Sequence, residues 1–156
     1  MRESILLAAL NEVKNRCDCS QFYHVCVAFR GTKILAIGHN CCCRVLKKYG
    51  EAKSLHAEID ALQRLKYRNK RPFDILVIRV NKTMSNLLSS KPCIRCENWI
   101  QNYPINKIYF STSEGTIEYI FKSQLVRSFK TKNVHRPISC KAASGLRIPI
   151  CLSLAS

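Results

Sequence analysis

The sequence is poor in acidic residues. It contains 10 Asp and Glu against 26 Lys and Arg, which gives a formal net charge of +16. No acidic residue follows Glu118, whereas cations continue as far as Arg147. Such an excess predicts an anionic partner or substrate, either a nucleotide or a nucleic acid. For the acid-free end, a solvated basic tail and a phosphate-binding surface both remain open interpretations.

The sequence also lacks an apolar run of the roughly 18 residues that a membrane-spanning helix needs. The apolar residues 5–10 are followed by Asn11 and Glu12, with no small-residue cleavage site after them. They indicate an amphipathic helix over 3–15 rather than an export signal. We therefore expect an intracellular protein, cytoplasmic or nuclear, with no membrane partner. Its ten Cys should then be mostly reduced thiols.

The 156 residues, of which 47% are hydrophobic, suit one globular domain. The order strand, helix, strand between 73 and 111 predicts a parallel crossover, and the whole pattern predicts an α/β fold with a mixed sheet and helices on both faces. We divide the chain into a core at 1–115 and a basic segment of uncertain structure at 116–156, in which 117–126 reads as a strand or a helix. The predicted elements are helix 3–15, hairpin strands 21–29 and 33–37, a loop at 41–53, helix 55–67, strand 73–80, a loop at 81–90, helix 93–103 and strand 107–111.

Two short segments carry the residues that point to chemistry. They read His-Ala-Glu at 56–58 and Pro-Cys-x-x-Cys at 92–96. A catalytic zinc ion typically has three nitrogen or sulfur ligands and one open position for water. Glu58 is close enough to His56 in sequence to reach such a water without ligating the metal. One imidazole and two thiolates are available as ligands from His56, Cys93 and Cys96.

The spacing of these residues suits the starts of two helices. Cys93 and Cys96 are three residues apart and would share one helix face, and Pro92 would suit the first turn of that helix. The positive end of a helix dipole would help to hold Cys93 as thiolate. Ser54 is the predicted N-cap of the other helix, which contains His56. The pattern therefore predicts two helix starts that meet at one metal ion.

Three other features have more than one interpretation. The consecutive thiols at 41–43 are partly buried cysteines near the site, or they bind a second metal or have a redox role. Alternatively, one of them closes the fourth position of the metal, which would make the zinc structural. His24 lies within a predicted strand and suits a hydrogen-bonded core or edge residue better than a ligand. Trp99 suits packing in the core better than a stacking role.

The motifs at 56–58 and 92–96 resemble those of the cytidine deaminase superfamily, in the branch with one His and two Cys ligands. The resemblance covers roughly 3–115 and implies a three-layer sandwich, a bound zinc ion (Zn2+) and, in many members, a homo-oligomer. The interval between the two motifs is longer than in most members. The implied roles are zinc ligation by His56, Cys93 and Cys96, proton transfer by Glu58, contact of the Ala57 backbone N–H with the base, and contact of Asn40 with the sugar or base.

The resemblance implies zinc-dependent hydrolytic deamination of a cytosine-containing nucleoside or nucleotide, as in CMP or dCMP deaminases. A first alternative is a deaminase that acts on tRNA or single-stranded nucleic acid, which the net charge of +16 favours. A second alternative is a zinc-stabilised nucleic-acid-binding module without catalysis. The sequence does not separate these three functions.

Overall fold

The computed structural model describes residues 1–14, 22–45, 54–65, 71–83 and 85–129. The basic stretch at 66–70 and the acid-free end from 130 onwards lie outside this part of the chain. In chain order the described elements are α1 (Glu3–Lys14), β1 (Phe22–Arg30), β2 (Lys33–His39), β3 (Cys41–Val45), β4 (Ser54–Leu55), α2 (Ala57–Arg64), β5 (Phe73–Asn81), β6 (Leu87–Leu88), α3 (Ile94–Ile100), β7 (Ile105–Ser111), β8 (Ile117–Phe121) and α4 (Lys122–Phe129).

One mixed sheet organises these elements, with the strand order β2-β1-β5-β7-β8. β5 and β7 are parallel and α3 connects them, which confirms the predicted crossover. β1 pairs antiparallel with β2 and with β5, and β8 pairs antiparallel with β7. The short strand β6 also pairs with β5, and β3 and β4 form a separate two-stranded ladder. The apolar strand β5 is therefore central, as its sequence predicts.

Alternate side chains of the central strands divide the core into two layers. On one face, Val25 of β1 and Ile78 of β5 pack with α1. On the other face, Cys26 of β1 and Val77 of β5 pack with residues of α2, α3 and α4. Successive side chains of each central strand point to opposite faces of the sheet, and helices cover both faces. This arrangement confirms the predicted three-layer α/β architecture. None of the helices in the described ranges combines the length and apolar character that crossing a membrane requires.

Three predictions about local structure are corrected. The predicted loop at 41–53 begins with strand β3, and the predicted loop at 81–90 contains β6. The segment 117–126 is neither one strand nor one helix, because β8 ends at Phe121 and α4 begins at Lys122. Strands of two to five residues are too short to display a periodicity that sequence analysis can recognise.

A close approach of helix to sheet at Gly38 places α2. A Cβ atom added to Gly38 would collide with the backbone of Ala57 and Ala61 in α2. The next residue of β2, His39, donates its backbone N–H to the Asp60 carboxylate over 3.0 Å. The absence of a side chain at 38 and this hydrogen bond therefore set the position of α2 on the sheet.

We expect Gly38→Ala to displace α2 and to lower the free energy of unfolding by about 1–3 kcal/mol, the usual cost of overpacking. The measurement is urea unfolding combined with amide hydrogen exchange in α2, which should become faster. The control is Gly31→Ala, which costs about 1–2 kcal/mol because Gly31 has a left-handed φ of 59°. An added Cβ there meets no atom within 4 Å, so exchange in α2 should stay unchanged. Equal rates of amide hydrogen exchange in α2 of the two variants would show that Gly38 does not set the position of α2.

Candidate metal centre

His56 lies immediately before the first residue of α2, as its N-cap. Its backbone is extended, with φ −82° and ψ 151°, and its carbonyl accepts a hydrogen bond from Asp60 N at 3.0 Å. The prediction of Ser54 as N-cap is wrong, because Ser54 pairs with Val45 in the β3–β4 ladder. The His56 side chain makes no capping hydrogen bond, which leaves the imidazole available for other contacts.

Cys93 has the same position at the start of α3. It is the N-cap, with extended backbone, and its carbonyl accepts a hydrogen bond from Glu97 N at 2.9 Å. Pro92 therefore precedes the cap rather than occupying the first helical turn, which corrects the sequence prediction. Cys96 lies on the inward side of the helix and is fully buried. Two N-cap side chains and one residue of a first turn thus converge from two helices.

The three predicted ligand residues come together in space. The Nδ1 atom of His56 lies 3.5 Å from Cys93 Sγ and 3.3 Å from Cys96 Sγ, and the two sulfur atoms are 3.7 Å apart. A tetrahedral zinc ion with ordinary bond lengths requires about 3.8 Å between two sulfurs and about 3.5 Å between sulfur and nitrogen. The donor types and their spacing therefore fit a zinc ion. Within the described ranges, these residues are the one group of three or more metal-binding side chains.

The protonation of the donors is coupled. Hydrogen bonds with Cys96 and His56 lower the pKa of Cys93 to about 3. The hydrogen bond with Cys93, together with burial, raises the pKa of Cys96 well above its ordinary value. The hydrogen bond with Cys93 also raises the pKa of His56. Without metal, this cluster holds a thiolate beside protonated partners, and a bound cation would replace the shared protons.

Glu58 is the buried carboxyl group beside these donors. It is the second residue of α2 and 4% exposed. Burial is the main cause that raises its pKa above the ordinary range. It does not belong to the group of potential metal ligands. A carboxyl group with a raised pKa next to a metal centre is suited to accept a proton and to return it.

The two predicted substrate contacts lie on different elements. Ala57 is the first residue of α2 and is fully buried. Asn40 follows β2, and its side-chain amide is bound to the backbone of β1. Its Oδ1 accepts from His24 N and its Nδ2 donates to the Phe22 carbonyl, both over 2.9 Å. The roles of Ala57 and Asn40 toward a substrate stay predictions.

Two polar residues of β1 and β5, His24 and Arg79, are close to this centre. Sequence analysis interpreted His24 as a core or edge residue and did not single out Arg79. Burial lowers the pKa of His24 to about 4, and the charge of Arg79 and the proximity of His56 act in the same direction. His24 and Arg79 face each other across the β1–β5 ladder. In the sequence, each is recognisable only as a polar residue within an otherwise apolar strand. Such a residue is equally typical of a strand at the edge of a sheet.

Cys41 does not join the three donors. It is partly exposed and pairs with Leu55 in the β3–β4 ladder. Its sulfur is not part of the group that could hold a metal ion. The side chains of Cys42 and Cys43 lie outside the described part of the structure. Among the described side chains, therefore, no fourth sulfur closes the site.

A comparison with protein families identifies the class to which this chain belongs. The family model described as "cytidine and deoxycytidylate deaminase zinc-binding region" matches residues 1–112. The chain therefore belongs to this family of hydrolytic deaminases, which confirms the resemblance carried by the two motifs. A comparison with curated proteins gave no match.

Solved structures of deaminases share the fold. Cytidine deaminase from Burkholderia pseudomallei matches with 20% identity and a TM-score of 0.53, over 80% of this chain and 96% of that one. Cytidine deaminase from Mycobacterium leprae matches with 20% identity and a TM-score of 0.50, over 80% and 95%. The dCMP deaminase of cyanophage S-TIM5, in complex with dCMP and dUMP, matches with 19% identity and a TM-score of 0.48, over 70% and 82%. At these identities the likeness concerns the fold alone.

The lowered pKa of Cys93 makes a testable prediction about its reactivity. The thiolate fraction of Cys93 in metal-free protein should be nearly complete above about pH 5, because its pKa is about 3. Alkylation by iodoacetamide, followed by peptide mass spectrometry, should therefore proceed at a nearly constant rate from about pH 5 to 8. In denaturant the ordinary pKa of about 8.5 returns, and the rate should rise about tenfold per pH unit. A tenfold rise per unit in the folded protein would contradict the arrangement.

Proposed function

We propose that this chain binds one zinc ion through His56, Cys93 and Cys96 and catalyses hydrolytic deamination of a cytosine-containing nucleoside or nucleotide. The observation that carries the proposal is the tetrahedral spacing of the donor atoms, 3.3–3.7 Å, beside a buried carboxyl group. When bound, zinc supplies a Lewis acid that activates water for attack on the base. Membership of the deaminase family supports this assignment.

Glu58 moves the protons in this reaction. Burial raises its pKa, so the carboxylate is a stronger base than an exposed Glu and accepts a proton from water more readily. It takes a proton from the attacking water and passes it to the ring nitrogen of the base. A second proton goes to the amino group that leaves as ammonia. Because α2 fixes the carboxyl group next to the donors, both transfers take place within one site.

Ala57 and Asn40 orient the substrate. The first N–H groups of a helix have no partner within that helix, so the Ala57 N–H at the start of α2 is suited to meet an acceptor on the base. The Asn40 amide is fixed by two hydrogen bonds to β1. These two bonds hold the amide at the end of β2, where we propose that it contacts the sugar or base.

We expect Glu58→Gln to keep zinc and to lose at least about 10³-fold in kcat, because the amide cannot carry the proton. Ammonia release and zinc content, by atomic absorption, are measured on the same sample. Glu118→Gln is the control, since Glu118 is exposed on β8 and should leave both quantities unchanged. An active, zinc-loaded Glu58→Gln protein would overturn the role of Glu58.

Cysteine variants test the ligand set and separate a catalytic from a purely structural zinc. Cys93→Ser should weaken zinc binding by at least about 10²-fold, measured by competition with a chromogenic chelator, because a thiolate ligand is lost. Cys41→Ser should keep wild-type zinc affinity, since Cys41 is outside the donor group. Equal loss of zinc in both variants would support a fourth sulfur ligand and a structural site.

The substrate class is tested by ammonia release from cytidine, CMP, dCMP, tRNA and single-stranded DNA in parallel. Release from a monomer supports the proposal. Release only from a polymer, with an affinity that falls steeply as salt rises, would favour the alternative that the net charge of +16 keeps open.

A further inference from the structure

Arg79 of β5 has an unusual environment for a cation. Its guanidinium carbon lies 4.3 Å from the centroid of the Phe22 ring. Its Nε atom is buried and has no hydrogen-bond partner within the described part of the chain. A buried N–H group without an acceptor costs free energy, and most buried polar groups are paired. The arrangement therefore suits an acceptor that comes with a ligand.

Arg79 lies on the same face of the sheet as the metal centre. Alternate residues of β1 and β5 place Phe22, His24 and Arg79 on the face covered by α2 and α3. Arg79 is directly opposite His24, and His24 is within electrostatic reach of Cys93 as well. Arg79 is thus connected to the metal donors through His24, and it is not one of them.

Strand β1 links Arg79 to Asn40. Phe22 and His24 bind the Asn40 amide through their backbone groups, on the β2 side of the strand. The side chain of Phe22 stacks against Arg79, on the β5 side. Phe22 therefore contacts both residues: its carbonyl binds Asn40 on the β2 side of β1, and its ring contacts Arg79 on the β5 side.

We propose that Arg79 binds the phosphate of a nucleoside monophosphate and makes the site specific for nucleotides over nucleosides. This inference rests on the proposed function. If the base of a nucleotide lies at Glu58 and its sugar lies toward Asn40, its phosphate lies beyond the sugar and further from the metal than the base. The planar guanidinium offers parallel N–H donors that match two phosphate oxygens, and its charge strengthens both hydrogen bonds.

A free monophosphate fits this cation better than a polynucleotide backbone does. A terminal phosphate carries up to two negative charges and presents several oxygens to one guanidinium. Binding along a polynucleotide instead uses a groove of several cations with successive stacking rings. The structure places one partly buried Arg against one ring beside the described metal donors.

The test compares Arg79→Met with wild type, using dUMP and deoxyuridine as probes of binding that do not depend on turnover. Met keeps an apolar stem over Phe22 and removes the charge. By isothermal titration calorimetry, wild type should bind dUMP at least about tenfold tighter than deoxyuridine, and Arg79→Met should remove that difference. In turnover, kcat/KM for dCMP should fall about 10²-fold, mainly through KM, while kcat/KM for deoxycytidine changes less than about threefold.

Two further variants control the experiment. Lys107→Met also removes a cation stacked on a ring, 5.0 Å from the Tyr119 centroid, but Tyr119 packs on the opposite face with α1, so the variant should behave as wild type. Arg79→Lys keeps the charge without the planar fork and should retain an intermediate preference for dUMP. Thermal unfolding of each variant confirms that it is folded.

The outcomes separate this inference from the proposed function. A preference for dUMP that persists in Arg79→Met, or wild type without a preference, would overturn the role of Arg79. Tighter binding of single-stranded DNA than of dUMP, lost in Arg79→Met, would overturn the choice of a mononucleotide. Dependence of dUMP binding on Arg79 in a protein that releases no ammonia would support the phosphate site while refuting deamination.

Discussion

The contact between α2 and the sheet at Gly38 is the constraint on which the site depends. The donors come from two helices, and their atoms must approach within 3.3–3.7 Å of one another. The central crossover from β5 to β7 fixes the start of α3. The start of α2 follows the separate β3–β4 ladder instead of a strand of the main sheet, and its depth over the main sheet is set by the missing side chain at Gly38 and by the Asp60 hydrogen bond. A displacement of α2 large enough to accommodate one added methyl group at position 38 would therefore separate His56 from the thiols.

The same geometry brings the thiol groups and the Glu58 carboxyl group close together, so that a bound cation would neutralise their negative charge. The metal-free cluster keeps one thiolate by sharing protons with a second thiol and an imidazole. The pKa of Cys93 is therefore lowered, and the pKa of Cys96 is raised. Zinc removes this competition because both sulfurs can then be thiolates. Burial is the main cause that raises the pKa of Glu58, and the negative charge of the Cys93 thiolate acts in the same direction. A bound cation would offset that repulsion, so the metal and the carboxylate depend on each other electrostatically.

Much of this arrangement could be predicted from the sequence. The apolar and aromatic runs at 21–29 and 73–80 indicated two strands of the sheet. The two motifs indicated the three donors and Glu58, because chemistry-bearing residues at helix starts leave a local pattern. The N-cap at Ser54 was wrong because a two-residue strand in front of α2 has no pattern of its own. The pairing of His24 with Arg79 was not predicted because it arises from strand register across more than fifty residues, which no local spacing encodes.

The helices and the strands of the sheet contribute different residues to the candidate site. The helices supply the donors and the carboxyl group, whose spacing is local and tightly constrained by the chemistry. The ends of β1, β2 and β5 supply Phe22, Asn40 and Arg79, whose side chains are held by hydrogen bonds and ring contacts outside the metal centre. With the roles proposed for Asn40 and Arg79, substitutions at these two positions would change which substrate is held without disturbing the metal ligands, because neither side chain belongs to the donor group. Substrate selection would then be separable from the chemistry.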